Sequence, residues 1–432
     1  MTEQKWFDVS KSGLAKQAEE RGAPYILTEL VANALDERFS GVTEIIVKVD
    51  PVPNQPYALV RVIDNSQRGY GDQFADAWTL FAESYKRGNP SQSGQFNLGC
   101  KLWLSPCDHA TIETTSGAVE FSGAGRKLYP RRKRERGTEV TGKMKIKREQ
   151  LAEVDALMHS LILPAGVHVI YNGKLLECRK PLKEFEEALT TKRPDADGVM
   201  KPTTRKTLIS IYEADGDQPM LYELGIPVVE SPCGWHVNIG QKVPLNKDRD
   251  NVTPAYSRKV KTHVANNMRE RLTAEDGRWA GDVFSDPDAK PETINIILDK
   301  TEGKQRVVYD PSDPEANMRG AAEGHTVIPG SRYTKDQWRG IRKADATPAA
   351  GKKFPTPKAY SDDPNADPTE LIPKNEWTDG MANAAEFSQW VAVECLGVRL
   401  GVNFVKKFGP GVLACYVRGG SKTGAIDFNM SV

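Results

Sequence analysis

The sequence predicts an α/β protein of two or three domains, and three observations carry that prediction. Apolar stripes of helical period alternate with short strand-like runs over the first 275 residues. The length, 432 residues, exceeds that of one ordinary domain. The composition, 39% hydrophobic and 27% charged, permits a sizeable core beneath a charged surface.

The elements follow in chain order. A helical stretch over residues 14–21 leads to a second helix opening near Pro24, because proline is tolerated in a first helical turn. That helix, PYILTELVANALDERF, gathers Ile26, Leu27, Leu30, Val31 and Ala34 on one stripe. TEIIVKV (43–49) and YALVRVID (57–64) read as strands. A helix over 73–81, a polar Gly/Ser-rich segment over 84–95 and a short apolar helix over 99–104 come next. Strands over 108–115 and 137–146 complete a first domain, residues 1–147.

A helix over 148–162 opens a second α/β region, residues 148–275. In it the Asn172-Gly173 pair reads as a hairpin turn, 207–214 and 220–230 as strands, and 255–272 as an amphipathic helix. Pro348, Pro355, Pro357, Pro364, Pro368 and Pro373 then punctuate residues 276–375, which read as a linker or arm. Residues 376–432 read as a small α+β piece, a helix followed by strands. A piece of that size is marginal alone and is expected to pack on a partner or on the rest of the chain.

Charge narrows the function classes. With 59 basic and 58 acidic side chains the net charge is +1, which argues against wholesale electrostatic attachment to nucleic acid or anionic membrane and leaves only local patches. The basic run Arg131-Arg132-Lys133-Arg134, with Arg136, reads as a solvated turn of a hairpin, since no aromatics interleave it. The six cysteines lie apart without CxxC spacing, which fits a reducing compartment. No apolar run approaches the ~18 residues of a membrane span, so a soluble cytoplasmic protein is expected. The six histidines form no metal-binding motif, and GGSKTG (419–424) lacks the order of a P-loop.

Four segments carry candidate chemistry. In Glu29-Leu30-Val31-Ala32-Asn33-Ala34-Leu35-Asp36, helical spacing puts Glu29, Asn33 and Asp36 on one face beside the apolar stripe. Two carboxylates and an amide so placed can position a water and a Mg²⁺ beside phosphates; alone, the octet is equally an ordinary polar helix face. The second segment ends a strand with Asp64 and continues through Gly69 and Gly71, so an acceptor stands beside a backbone that can approach a flat ring. The third, Gly94-Gln95-Phe96-Asn97-Leu98-Gly99-Cys100-Lys101, leads glycines into a helix N-terminus, where free N–H groups and Lys101 can cradle phosphate. The fourth, Gly137-Thr138-Glu139-Val140, opens a strand.

In order and spacing the four resemble the GHKL (Bergerat-fold) ATPase superfamily, which includes DNA gyrase B, MutL-type proteins, MORC-type ATPases, sensor histidine kinases and the ninety-kilodalton heat-shock chaperones. The family pattern runs ExxxNAxD, DxGxG, GxxGxG and a GT-containing strand. Two departures are visible: Ser66 stands where the first glycine after Asp64 is expected, and Asn97 replaces the middle lid glycine. The resemblance implies a Bergerat α/β sandwich, with helices over one face of a mixed sheet, followed by a transducer-like α/β domain. It makes Glu29 the general base, Asn33 the Mg²⁺ ligand with Asp36 beside it, and Asp64 the adenine reader supported by Thr138. Gly69 and Gly71 fall in the adenine loop, and Gly94, Gly99 and Lys101 in the lid and phosphate loop.

A fifth match, Val243-Pro244-Leu245-Asn246-Lys247-Asp248-Arg249-Asp250, resembles the chaperone loop that presents a cation to the γ-phosphate. Arg249 fits the chaperone register and Lys247 the lysine alternative; a solvated charged loop is the competing reading. The resemblance implies an ATP-driven switch with ATP and Mg²⁺, dimerising on ATP or working in a larger assembly, on an unidentified client. The alternative is an ATPase subunit of a DNA-processing assembly. A sensor-type kinase fits least, because no histidine-bearing helix precedes Glu29. Phage proteins of the rIIA type also join such an ATPase to unrelated tails.

Overall fold

The computed structural model describes residues 10–67, 89–92, 99–195, 199–246, 251–356, 371–406, 414–418 and 423–430. They divide into two compact units, one of residues 1–304 with 333–346, the other of residues 305–332 with 347–432.

The first unit begins with α1 (Lys11–Asp36), which Ser10 caps by accepting the Gly13 N–H at 3.2 Å. Gly22, at φ +82°, breaks the helical path, and Pro24 restarts it where its missing N–H costs nothing. The two helices expected on either side of this point are thus both present, meeting at a kink. The second segment buries Ile26, Leu27, Leu30, Val31, Ala34 and Leu35.

The chain continues through β1 (Glu44–Pro51), β2 (Tyr57–Asp64), α2 (Gly99–Leu104), β3 (Cys107–Glu113), β4 (Ala118–Ser122), β5 (Gly125–Tyr129) and β6 (Glu139–Lys145). It then forms α3 (Arg148–Ser160), β7 (His168–Tyr171) and β8 (Lys174–Leu175). These strands make an eight-stranded mixed sheet in the order β5-β4-β3-β6-β2-β1-β7-β8. β2 buries alternate residues, Ala58, Val60, Val62 and Asp64, as a half-buried strand should. The buried residues of β1, β2, β3 and β6 share one core with α1, α3 and Trp103. Past residue 147, β7 pairs in parallel with β1, and Asn172 turns into β8 with its side chain accepting the Val49 N–H. The first sheet therefore extends beyond the 147/148 division expected from sequence.

A second, five-stranded sheet of order β12-β11-β13-β10-β9 follows: β9 (Lys183–Pro194), β10 (Met200–Tyr212), β11 (Met220–Glu223), β12 (Ile226–Glu230) and β13 (His236–Ile239). α4 (Pro254–Met268), capped by Thr253 with proline first, packs on β9. α5 (Gly277–Ala280) and α6 (Pro291–Thr301) follow.

In the second unit β14 (Arg306–Val308), α7 (Pro314–Ala322) and parallel β15 (Thr326–Ile328) form a small βαβ unit. α8 (Lys335–Lys343) returns to the first unit, where Phe284, Tyr333 and Trp338 pack edge to face. The prolines expected to mark an arm are joined by others that start helices, Pro291 in α6 and Pro314 in α7, so residues 276–356 carry regular structure. α9 (Ala350–Lys353) precedes α10 (Asp379–Leu396), β16 (Arg399–Val405), β17 (Ala414–Arg418) and β18 (Thr423–Asn429). Met381 and Ala385 of α10 bury against Val402 and Phe404 of that last sheet.

Among the described residues no helix is long and apolar enough to cross a membrane. Cys107, Cys178, Cys233 and Cys395 are free thiols.

Candidate functional site

Two pairs of elements bring the candidate residues together. In the first pair α2 packs against α1. Glu29 and Asn33 are half-buried and Asp36 is 2% exposed, so the polar face of α1 is turned inward along part of its length. Gly99 opens α2 directly against Glu29: a Cβ there would overlap Glu29 Oε2 and stand 3.1 Å from Cδ. Position 99 therefore admits no side chain while Glu29 keeps this rotamer. Lys101, in the first turn of α2, is 8% exposed. Glu29, Asp36 and Lys101 all take part in polar or charge interactions, as buried or half-buried charges must.

The second pair is the end of β2 and the start of β6. Antiparallel pairing of Ile63 with Glu139 carries Asp64 next to Thr138, whose carbonyl accepts the Asp64 N–H at 3.0 Å. Asp64 is 6% exposed, and its Oδ1 accepts the Ser66 N–H at 2.9 Å, closing an Asx turn. Burial pushes the Asp64 carboxyl above the usual carboxylate range; the Ser66 hydroxyl and the amides of Ser66 and Thr138 oppose this, and the charge of Glu37 adds to it. The Ser66 hydroxyl is fully buried, close enough to favour the ionised carboxyl yet out of hydrogen-bond alignment with any described partner.

Gly137 makes this approach possible. It sits at φ +73°, its N–H donates to the Ser66 carbonyl at 2.6 Å, and a Cβ would overlap the Asp64 carbonyl oxygen and lie 2.8 Å from its carbon. A left-handed backbone and a close approach both require glycine there. Asn65 ties the same turn to β1, accepting the N–H groups of Thr43 and Glu44 at 2.9 and 3.1 Å. The contribution of Thr138 here is thus through its backbone.

Sequence reasoning missed a further constellation. The turn at residues 89–92 is tied to both sheets' surroundings: Gln92 Nε2 donates to the Asp36 carbonyl at 3.2 Å and Arg38 Nη2 to the Ser91 carbonyl at 3.0 Å. From the second sheet's side, Lys242 N–H donates to the Pro90 carbonyl at 2.8 Å and Arg205 Nη1 to Ser91 Oγ at 3.4 Å. Gln241 and Lys242 are both buried, Gln241 donating to the Leu189 carbonyl at 3.0 Å. No periodicity or motif marks these long-range hydrogen bonds. Gly69, Gly71, Gly94, Lys247 and Arg249 lie outside the described residues, as does the helix expected over 73–81.

No protein-family model matches the chain, and no curated protein matches it by sequence. Among solved structures the chain is similar to the ATPase region of Saccharomyces cerevisiae topoisomerase II bound to ICRF-187 (dexrazoxane), at 12% identity and a TM-score of 0.34 over 57% of this chain and 85% of that one. It is also similar to another structure of that yeast ATPase region, at 12% identity and a TM-score of 0.35 with the same coverage. A third is the ATPase and transducer domains of DNA topoisomerase II from Balamuthia mandrillaris, at 13% identity and a TM-score of 0.31 over 46% of this chain and 57% of that one.

Proposed function

We propose that this chain binds Mg-ATP and hydrolyses it as a conformational switch of the GHKL type. The observation that carries the reading is the convergence of the four motifs in two pairs, Glu29 against Gly99 and Asp64 against the Gly137-Thr138 pair. Motifs far apart in sequence meet in these two pairs, and each meeting uses a glycine whose Cβ would displace its neighbour.

The division of labour follows from the side chains. Asp64 keeps acceptor capacity beyond its bond to Ser66, so it can receive the exocyclic amine of adenine, which guanine lacks at that position. A buried carboxylate is expensive, and its retention at a strand end is the sort of cost a binding site imposes. Glu29 is placed to take a proton from an attacking water, and the N–H groups at the start of α2 with Lys101 suit phosphate oxygens. Asn33 would hold Mg²⁺, which supplies charge neutralisation at the phosphates. Glycine at position 99 leaves the Glu29 carboxylate its room, since a Cβ there would overlap it.

Gly69 and Gly71 are assigned to the adenine loop, Gly94 to the lid, and Arg249 or Lys247 to the cation delivered to the γ-phosphate. The turn at 89–92, bonded to Asp36 and Arg38 on one side and to Arg205 and Lys242 on the other, supports coupling between lid and second sheet. ATP-dependent dimerisation or membership of a larger assembly completes the proposal.

Calorimetry with ATP and GTP tests it. ATP should bind, and GTP should bind at least about tenfold more weakly, since it offers an oxygen where Asp64 needs a donor. Equal affinities would remove Asp64 as the adenine reader, and absence of nucleotide binding would remove the whole reading.

A further inference from the structure

Residues 125–136, GRKLYPRRKRER, hold seven Lys or Arg side chains against the single anion Glu135. This dozen is net +6 within a chain of net +1, so all the rest is net −5. The structure splits these cations into two sets. Arg132 pairs with Glu113 and Arg134 with Glu139, while Arg136 donates Nε and Nη2 to the Asn65 carbonyl at 3.2 and 2.9 Å. With the Arg134 N–H on the Thr114 carbonyl at 2.9 Å, these ties fix the segment to the rim of the first sheet.

The second set projects outward. Arg126, Arg131 and Lys133 are exposed, whereas Lys127 stands across the strand pair from Glu120 and helps hold that carboxyl below its usual range. Lys127 lies over the Tyr129 ring, 5.1 Å from its centroid. β5 is the outer strand of the sheet, so its backbone also has a side facing away from the other strands. One or two lysines suffice to blunt an edge strand; Arg131 and Lys133, beyond the strand, add repulsion and, among the described residues, no tie to the fold.

We infer that this rim binds duplex DNA along its phosphate backbone, without reading sequence. Arginine forks match phosphate oxygens, and duplex DNA offers about one negative charge per 1.7 Å of axis, dense enough to engage every projecting cation. Single strands are bound instead by stacking bases on free aromatic rings. The aromatic ring of this segment, Tyr129, is committed: its hydroxyl donates to Glu120 at 2.9 Å and its face lies under Lys127. The ties of the first set hold the segment rigid, so few degrees of freedom are lost on binding.

The inference does not depend on nucleotide, and its test uses the full chain without any. Anisotropy of a labelled duplex is titrated across salt concentrations for wild type and for the variant R126E/R131E/K133E. Three phosphate contacts give a slope of log K against log salt of about −2.7, and the variant should lose that dependence. A control variant, K174E/K180E/K304E, reverses as many exposed charges elsewhere and should keep the wild-type slope. R126K/R131K, which retains charge, should also keep it, with unchanged melting as the check on folding. Undetectable duplex binding by wild type at low salt would overturn the inference. So would a wild-type slope in R126E/R131E/K133E, an equal loss in the control, or tighter binding of a single strand of the same length.

Discussion

The carboxylate of Glu29 occupies the space in which a side chain at Gly99 would begin, so the start of α2 and the middle of α1 meet at van der Waals distance. Gly99→Ala should therefore separate folding from chemistry. Alanine suits a helix and removes chain entropy from the unfolded state, and the Glu29 side chain is long enough to swing away. Melting should hardly change, yet turnover of ATP should fall about a hundredfold, because a base displaced by about 1 Å loses its line to the water. Turnover at the wild-type level in the alanine variant would separate Glu29 from catalysis.

Asp64→Asn predicts opposite effects on stability and binding. A carboxyl whose folded-state value is raised by burial contributes stability that is present below its unfolded value and is lost as pH rises through the folded value. The neutral amide has no such penalty, and its oxygen can still accept the Ser66 N–H. The variant should thus melt at or above wild type at neutral pH, with the difference closing in acid. Its ATP affinity should drop ten- to hundredfold, roughly 1–3 kcal/mol, as a donor faces the adenine amine. Scanning calorimetry against pH together with ATP titration reads both halves; a variant less stable and equally tight would contradict them.

Gly137→Ala is expected to be structural. The left-handed backbone costs about 1–2 kcal/mol for a residue with a Cβ, and relieving the overlap with the Asp64 carbonyl adds about 1–3 kcal/mol. Chemical denaturation should show that loss. A change below about 1 kcal/mol would mean that β2 and β6 meet less closely than their pairing indicates.

Parts of this architecture are legible in the sequence. The stripe from Ile26 to Leu35 has helical period, and α2 is bounded by the residues its apolar run suggests. The alternation in β2 likewise declares one buried face. β5 and β9 were hidden because both are rim strands rich in charge, GRKLY and KEFEEALTTKRP, where solvent rather than a core sets composition. β13, four residues long, is too short to show a period. In the candidate site, residue types and order suggested Glu29, Asn33 and Asp64. The hydrogen bonds of Gln92 to Asp36 and of Lys242 to Pro90 had no signal, since each joins residues far apart in sequence through a single bond.

The proposal that a second-region cation reaches the γ-phosphate is tested at Lys247 and Arg249. A cation aimed at the transferring phosphate contributes ~10³-fold or more, so Arg249→Ala, or Lys247→Ala if the lysine serves, should lose that much turnover. ADP affinity should stay at the wild-type value, because ADP lacks the phosphate in question. If both variants hydrolyse ATP at the wild-type rate, the loop is a solvated surface.

The most direct measurement is turnover and affinity for ATP in wild type and Glu29→Ala, side by side. Removing the carboxylate takes away the proposed base and leaves Asp64 and its turn in place. ATP should bind the variant as it binds wild type, while hydrolysis falls ~10²–10⁴-fold. Near-normal hydrolysis by Glu29→Ala would contradict the account and leave the polar face of α1 as ordinary helix surface.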